Sequence, residues 1–100
     1  MKVMVDFCLI PIGVGVSLSE YIVACQKLLE ERGLHTELHA YGTLVEGEWD
    51  AVFEAVRDCH ALVHEMGCPR IMSTLKVGTR VDRTQTGQDK LRSVREKLGP

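Results

Sequence analysis

The sequence predicts an α+β fold: a four-stranded antiparallel sheet with two long helices on one face and a short helix after the last strand. Three observations predict it. Apolar runs of strand character alternate with stripes at helical spacing, in the order β-α-β-β-α-β-α. The second and third strand runs lie on either side of Gly42, as in a hairpin. Each long helical stripe connects two strand runs, as a right-handed βαβ crossover does. This order is the ferredoxin-like βαββαβ sandwich with an extra C-terminal helix. It places the first strand between the third and fourth and leaves one sheet face without helical cover.

The elements follow in turn. Val3 to Ile12 is β-rich and nearly all apolar, closed by Pro11 and Gly13-Val14-Gly15. Such a run suits a central strand covered on both faces. Ser17-Leu18-Ser19-Glu20 reads as a capping box. Leu18, Tyr21, Ile22, Cys25, Leu28 and Leu29 then form one helical stripe, stopped by Gly33. From His35 to Tyr41 the chain alternates: Thr36, Leu38 and Ala40 face one way, His35, Glu37, His39 and Tyr41 the other. Thr43 to Glu46 resumes as a short strand. Gly47 opens the second helix, with Glu48 and Asp50 in its first turn, where acids suit the positive end of the dipole. Val52, Val56, Cys59, Val63 and Met66 form its buried stripe, with Trp49, Phe53 and His60 beside it, and Gly67 ends it. In the last strand, Arg70 to Val77, Ile71, Ser73, Leu75 and Val77 face one way and Arg70, Met72, Thr74 and Lys76 the other. Thr86 and Asp89 form a cap pair for a third helix carrying Leu91, Val94 and Leu98.

Composition narrows the class. The 100 residues are 45% apolar and 26% charged, which suits one globular domain over residues 1–100. A chain this short leaves apolar surface exposed, so self-association is expected. The net charge is −2 with no basic run and 5% aromatics, so nucleic acid is a poor partner. Cys8, Cys25, Cys59 and Cys68 form no Cys-x-x-Cys pair and sit in apolar segments, as buried thiols of a reducing compartment do. Met1 to Asp6 holds an acid within an apolar run too short for a signal peptide or membrane span. The expectation is a cytoplasmic protein without a membrane partner.

The first strand points to the functional surface. Val3, Val5, Phe7 and Leu9 suit the helices, which turns Met4, Asp6, Cys8 and Ile10 toward the open face. His39, Tyr41, Met72, Thr74 and Lys76 are expected beside them. That surface is half apolar, so another subunit or a ligand should cover it and satisfy its polar groups. A carboxylate in mid-strand, Asp6, costs several kcal/mol if buried unpaired. It either pairs with Lys76 on the neighbouring strand, faces water, or holds a polar or cationic ligand.

Other constellations carry weaker chemistry. His60 and His64 are spaced to chelate a metal, but Ala61 and Val63 stand where metalloprotease motifs need glutamate. Packing at the helix–sheet edge suits His60, and a rim or cap position suits His64. Gly13-Val14-Gly15 lacks the third glycine of a dinucleotide loop, Leu18 taking its place, and reads as a turn. No serine or cysteine lies in a nucleophile elbow. Glu46, Glu48 and Asp50 around Trp49 could attract an organic cation. A helix start with Trp49 as a core anchor explains all but Glu46, the better ligand candidate. Lys76, Arg80, Arg83 and Lys90 flank the loop after the last strand and could hold an anion; ion pairing with Asp82, Asp89 and helix acids is the ordinary alternative.

Four segments carry a resemblance: Asp6-Phe7-Cys8-Leu9-Ile10-Pro11-Ile12-Gly13, Gly42-Thr43-Leu44-Val45-Glu46-Gly47-Glu48-Trp49-Asp50, His64-Glu65-Met66-Gly67 and Lys76-Val77-Gly78-Thr79-Arg80-Val81-Asp82-Arg83. The chain resembles the thiamine-binding, YkoF-like family of small proteins over nearly its whole length. Gly-Thr-x-x-Glu-Gly-x-Trp-Asp is the most specific part. The resemblance implies a ferredoxin-like fold, homodimers that pair into tetramers, and binding of thiamine or its pyrimidine moiety in some members, while many members have no known function. Thiamine carries a cationic thiazolium and an aminopyrimidine, which carboxylates (Asp6, Glu46), a hydroxyl (Thr43) and an aromatic wall (Tyr41) would suit.

The open-face argument and the matched segments together nominate Asp6, Cys8, Tyr41, Thr43, Glu46, Lys76 and Arg80 for ligand binding. No catalytic residue, metal ligand or cofactor is expected. The leading expectation is a non-enzymatic homo-oligomer, dimer or tetramer, that binds a thiamine-like small molecule. The alternatives are a structural or regulatory module without a ligand, and a metal-dependent or acid–base enzyme using His60, His64 and Asp6.

Overall fold

A computed structural model describes residues 1–100. The elements are β1 (Lys2–Ile12), α1 (Ser19–Glu31), β2 (His35–His39), β3 (Gly42–Glu48), α2 (Trp49–Glu65), β4 (Arg70–Gly78) and α3 (Gly87–Leu98). The strands form one antiparallel sheet in the order β2-β3-β1-β4, the ferredoxin-like arrangement with β1 inside. No helix is long and apolar enough to cross a membrane.

The core lies between one sheet face and the pair α1 and α2. Val3, Val5, Phe7 and Leu9 of β1 are buried there, as their alternation predicts. They meet Val45 of β3, Tyr21, Cys25 and Leu29 of α1, and Val52, Ala55, Val56, Cys59 and Val63 of α2. Burying a Val or Leu side chain contributes about 1.5–3 kcal/mol, several times an ordinary surface contact. This core therefore fixes α1 and α2 more than their ends do. Neither helix has a side-chain cap. Both stop at a glycine in the left-handed region, Gly33 (φ 72°) and Gly67 (φ 100°), where a Cβ would be strained.

Several boundaries differ from expectation. The capping box at Ser17 is absent: α1 starts at Ser19, and Leu18 at its N-cap is helical (φ −110°, ψ −1°) and offers no oxygen acceptor. β3 runs on through Gly47 to Glu48 because Lys2 and Val3 of β1 pair with those residues, so α2 starts at Trp49. Glu48 is bound by the terminal ammonium at 3.0 Å and Lys2 at 3.5 Å, which hold its carboxyl below the usual range. Trp49 stacks on Phe53 with ring centroids 4.6 Å apart and is half-exposed rather than a core anchor. Met66 lies past the end of α2 and is exposed.

The predicted cap of α3 is present. Thr86 Oγ1 accepts from the Asp89 N–H at 3.1 Å, and Asp89 accepts from the Thr86 N–H at 3.0 Å. Only the first turn of α3 docks. The Gly87 N–H donates to Glu46 Oε1 at 2.6 Å, and Gln88 bonds Glu37. A Cβ on Gly87 would lie 2.7 Å from Leu44 Cδ2, so the helix start rests against the open sheet face. Beyond it, Leu91, Val94 and Leu98 are exposed.

Candidate functional site

β1 is longer than its partner on one side. Its pairing with β3 ends at Phe7–Thr43, while its pairing with β4 continues to Ile12–Arg70. Beyond Phe7, β1 has no strand neighbour on the β3 side. The two-residue turn Ala40–Tyr41 and helix α1 close the gap instead, and a cleft of about 270 Å³ forms between them. Its walls are mainly apolar, including Leu9, Leu18, Ile22 and Leu38. Cys8, Gln26, His39, Tyr41 and Thr43 supply its polar groups.

Two hydrogen-bonded sets order those groups. Thr43 Oγ1 donates to Gln26 Oε1 at 3.2 Å, and Gln26 Nε2 donates to Thr36 Oγ1 at 2.9 Å. A long amide on α1 is thus held against the sheet with its polar end at the cleft. On the other side, His39 Nε2 donates to Asp6 Oδ1 at 2.6 Å, while its Nδ1 accepts from the Tyr41 N–H at 3.2 Å. Those two bonds fix the tautomer, with the proton on Nε2. Gly42 makes the crossing possible. It lies opposite His39 on β2, and with no side chain it lets the imidazole reach over β3 to β1.

The second cleft, of about 530 Å³, lies at the opposite end of the sheet. The starts of β1 and the loop after β4 build it, with Glu46, Arg80, Arg83 and Lys90 among its lining residues. Cys8 and Met4, one at each cleft, are four residues apart on β1, about 13 Å along the strand.

The seven nominated residues therefore separate. Cys8, Tyr41 and Thr43 line the first cleft, and Glu46 and Arg80 the second. Thr43 is buried on the helix side beside Val45, not on the face that carries Asp6, because the hairpin pairs it with Leu38 and β1 pairs it with Phe7. Tyr41 lies in the turn, 86% exposed, rather than in β2. Asp6 lines neither cleft itself but orients His39, which lines the first. Lys76 stands opposite Asp6 in register without an ion pair to it; His39 takes the carboxylate instead. Glu46 spends its carboxylate on the Gly87 N–H and on His35 Nε2 at 3.5 Å. Arg80 clasps Asp82 through Nε at 2.6 Å and Nη2 at 2.9 Å, which pulls the Asp82 carboxyl below its ordinary range.

Gln26 is the cleft residue that the sequence reading missed. Its signal was a polar side chain next to Cys25 at the edge of the α1 stripe. The His60–His64 pair does not converge on one point. His60 Nε2 shares a hydrogen bond of 2.7 Å with Ser73 Oγ, and His64 Nδ1 donates to the Cys68 carbonyl at 2.7 Å. Neither cleft reaches them.

Comparison with known proteins places the chain. It matches the family model described as thiamine-binding protein over residues 5–95. It is 55% identical over 94 residues to a UPF0045 protein of Synechocystis, covering 94% of this chain and 78% of that one. It is 37% identical over 99 residues to a UPF0045 protein of Eremothecium gossypii, covering 98% and 94%. The crystal structure of a hypothetical protein from Methanocaldococcus jannaschii superposes with a TM-score of 0.88 at 32% identity, covering 95% of this chain and 97% of that one. A Thermotoga maritima protein, named as a candidate for thiamine biosynthesis/salvage, gives a TM-score of 0.81 at 20% identity over 94% and 99% of the two chains, a likeness of fold. With its match running from Val5 in β1 to Arg95 in α3, the chain belongs to the thiamine-binding protein family.

Proposed function

We propose that this protein is a non-enzymatic binding protein for thiamine or its hydroxymethylpyrimidine moiety, acting as a homo-oligomer, with the cleft between α1 and the hairpin turn as its binding site. The observation that carries this reading is the composition of that cleft: apolar walls, one oriented amide–hydroxyl pair, and a strand edge with no partner strand. Aminopyrimidines need this combination, flat apolar faces with donors and acceptors at the rim. A volume of about 270 Å³ is at the small end for ligand sites, which suits the pyrimidine ring inside and a thiazolium outside. There Tyr41 offers a ring face and the Asp6–His39 pair a negative end to a cation. Membership of the thiamine-binding family supports the ligand class. Self-association is supported by apolar side chains on the open face and α3: Met72, Leu91, Val94 and Leu98 are each more than two-fifths exposed.

Titration calorimetry with hydroxymethylpyrimidine and thiamine tests the ligand. Binding is expected, and Gln26→Ala is expected to weaken it about tenfold, the worth of one hydrogen bond at the cleft, because it removes the amide that orients the Thr43 hydroxyl there. No heat and no melting shift with either compound would remove the assignment. Sedimentation velocity tests the assembly; a monomer at high micromolar concentration would refute it.

A further inference from the structure

The cleft at the other end of the sheet has a different chemistry, and the proposed ligand does not account for it. Only two of its thirteen lining residues are hydrophobic, and none is aromatic. Lys2, Arg80, Arg83 and Lys90 put four cations on its wall, against one lining acid, Glu46. That acid is already engaged by the Gly87 N–H and His35. Lys2 faces Glu48 at 3.5 Å, and Arg80 is clasped by Asp82, but no carboxylate lies within ion-pair distance of Arg83 or Lys90. Thr79, Thr84 and Thr86 add hydroxyls. At the α3 N-terminus the Gly87 amide is spent on Glu46 and the Asp89 amide on the Thr86 cap.

We propose that this cleft is an anion site for a phosphate or diphosphate group, held by Arg83 and Lys90 with Arg80 and Lys2 behind them. Cations in a concave wall reinforce one another's field and hold phosphate oxygens by charge-assisted hydrogen bonds. Its 530 Å³ exceeds what one phosphate fills, so a diphosphate fits better. The absence of an aromatic wall argues against a stacked nucleobase. The anion is either free or esterified to a larger molecule.

Calorimetry at low and moderate salt with inorganic pyrophosphate and with thiamine diphosphate tests the site, on wild type and on Arg83→Gln/Lys90→Gln. Both positions are exposed, so the variant is expected to melt as wild type does. Saturable pyrophosphate binding that weakens with salt, and falls about tenfold or more in the double variant, supports a free-anion site. Binding of thiamine diphosphate alone, with the same loss in the variant, supports the esterified source. Affinity for both anions unchanged in the variant, or no binding of either, overturns the proposal. Gln26→Ala separates the two sites: loss of hydroxymethylpyrimidine binding with pyrophosphate binding intact leaves this inference standing on its own.

Discussion

Gly42 offers the sharpest single test of how the first cleft is built. A Cβ at this position would lie 2.7 Å from the Phe7 carbonyl oxygen, about 0.7 Å short of ordinary contact at 3.4 Å, and 3.3 Å from its carbon. Phe7 belongs to the central strand and cannot yield alone, because its side chain is locked in the core. Gly42 has no positive φ, so the obstacle to alanine is steric and not conformational. Overpacking of this kind costs about 1–3 kcal/mol. The lost flexibility of the unfolded chain returns about 0.4–1 kcal/mol. Gly42→Ala is therefore expected to lose about 1–2 kcal/mol, a Tm drop of roughly 4–16 °C for a chain of this size. Because the strain pushes β3 from β1 beside the His39–Asp6 bond, ligand affinity should fall as well. Gly87→Ala is the control: its nearest atom, at 2.7 Å, is the mobile end of Leu44, which can rotate away. Thermal unfolding by circular dichroism reads both. A Gly42→Ala protein melting within a degree or two of wild type, or less damage there than at Gly87, would refute the reasoning.

Two further outcomes follow from the side-chain environments. Cys8 lines the first cleft and is partly exposed, whereas Cys25, Cys59 and Cys68 are buried, and a hydrogen bond with Cys25, together with burial, pushes the Cys59 thiol up. Native alkylation read by intact-mass spectrometry should therefore modify one thiol quickly, at Cys8, and thiamine or hydroxymethylpyrimidine should slow it; equal labelling of all four would contradict the core. Burial, with His64 nearby, holds the His60 imidazole below its ordinary value, so the unfolded chain takes up that proton at higher pH than the folded one. The stability His60 contributes is full above about pH 6.5 and is lost as pH falls through the folded value. Between pH 7 and pH 5 the melting temperature should fall less steeply in His60→Gln, which keeps a partner for Ser73, than in wild type; parallel slopes would disprove the link.

Much of the fold was legible because one continuous core imposes it. Val3, Val5, Phe7 and Leu9 alternate so regularly that only one face of β1 can meet the helices, and the stripes of α1 and α2 follow from the same demand. The Thr86–Asp89 cap was legible for a local reason, since both partners lie within one turn. The site was harder. Thr43 and Asp6 look like neighbours in any list of polar strand residues, but the hairpin turns at Ala40–Tyr41, and that register sends Thr43 to the helix side. A slip of one residue would have reversed it. The His39–Asp6 bond depends on a vacancy at Gly42 on the strand between them, which no periodicity reports. Ser17 failed as a cap because α1 starts two residues later, held by the burial of Tyr21 and Cys25 more than by any hydroxyl.

The overhang of β1 beyond Phe7 has an evolutionary consequence. Lengthening the hairpin by a residue or two on each arm would zip β3 along Cys8 and Ile10 and fill the recess with main chain, while shortening it would widen the mouth. Either change would leave Val5, Val45, Val52 and Val63, which lie away from this cleft, untouched. The size of the recess thus follows from hairpin length, and if it holds the proposed ligand, indels at this one surface turn would change which small molecule fits.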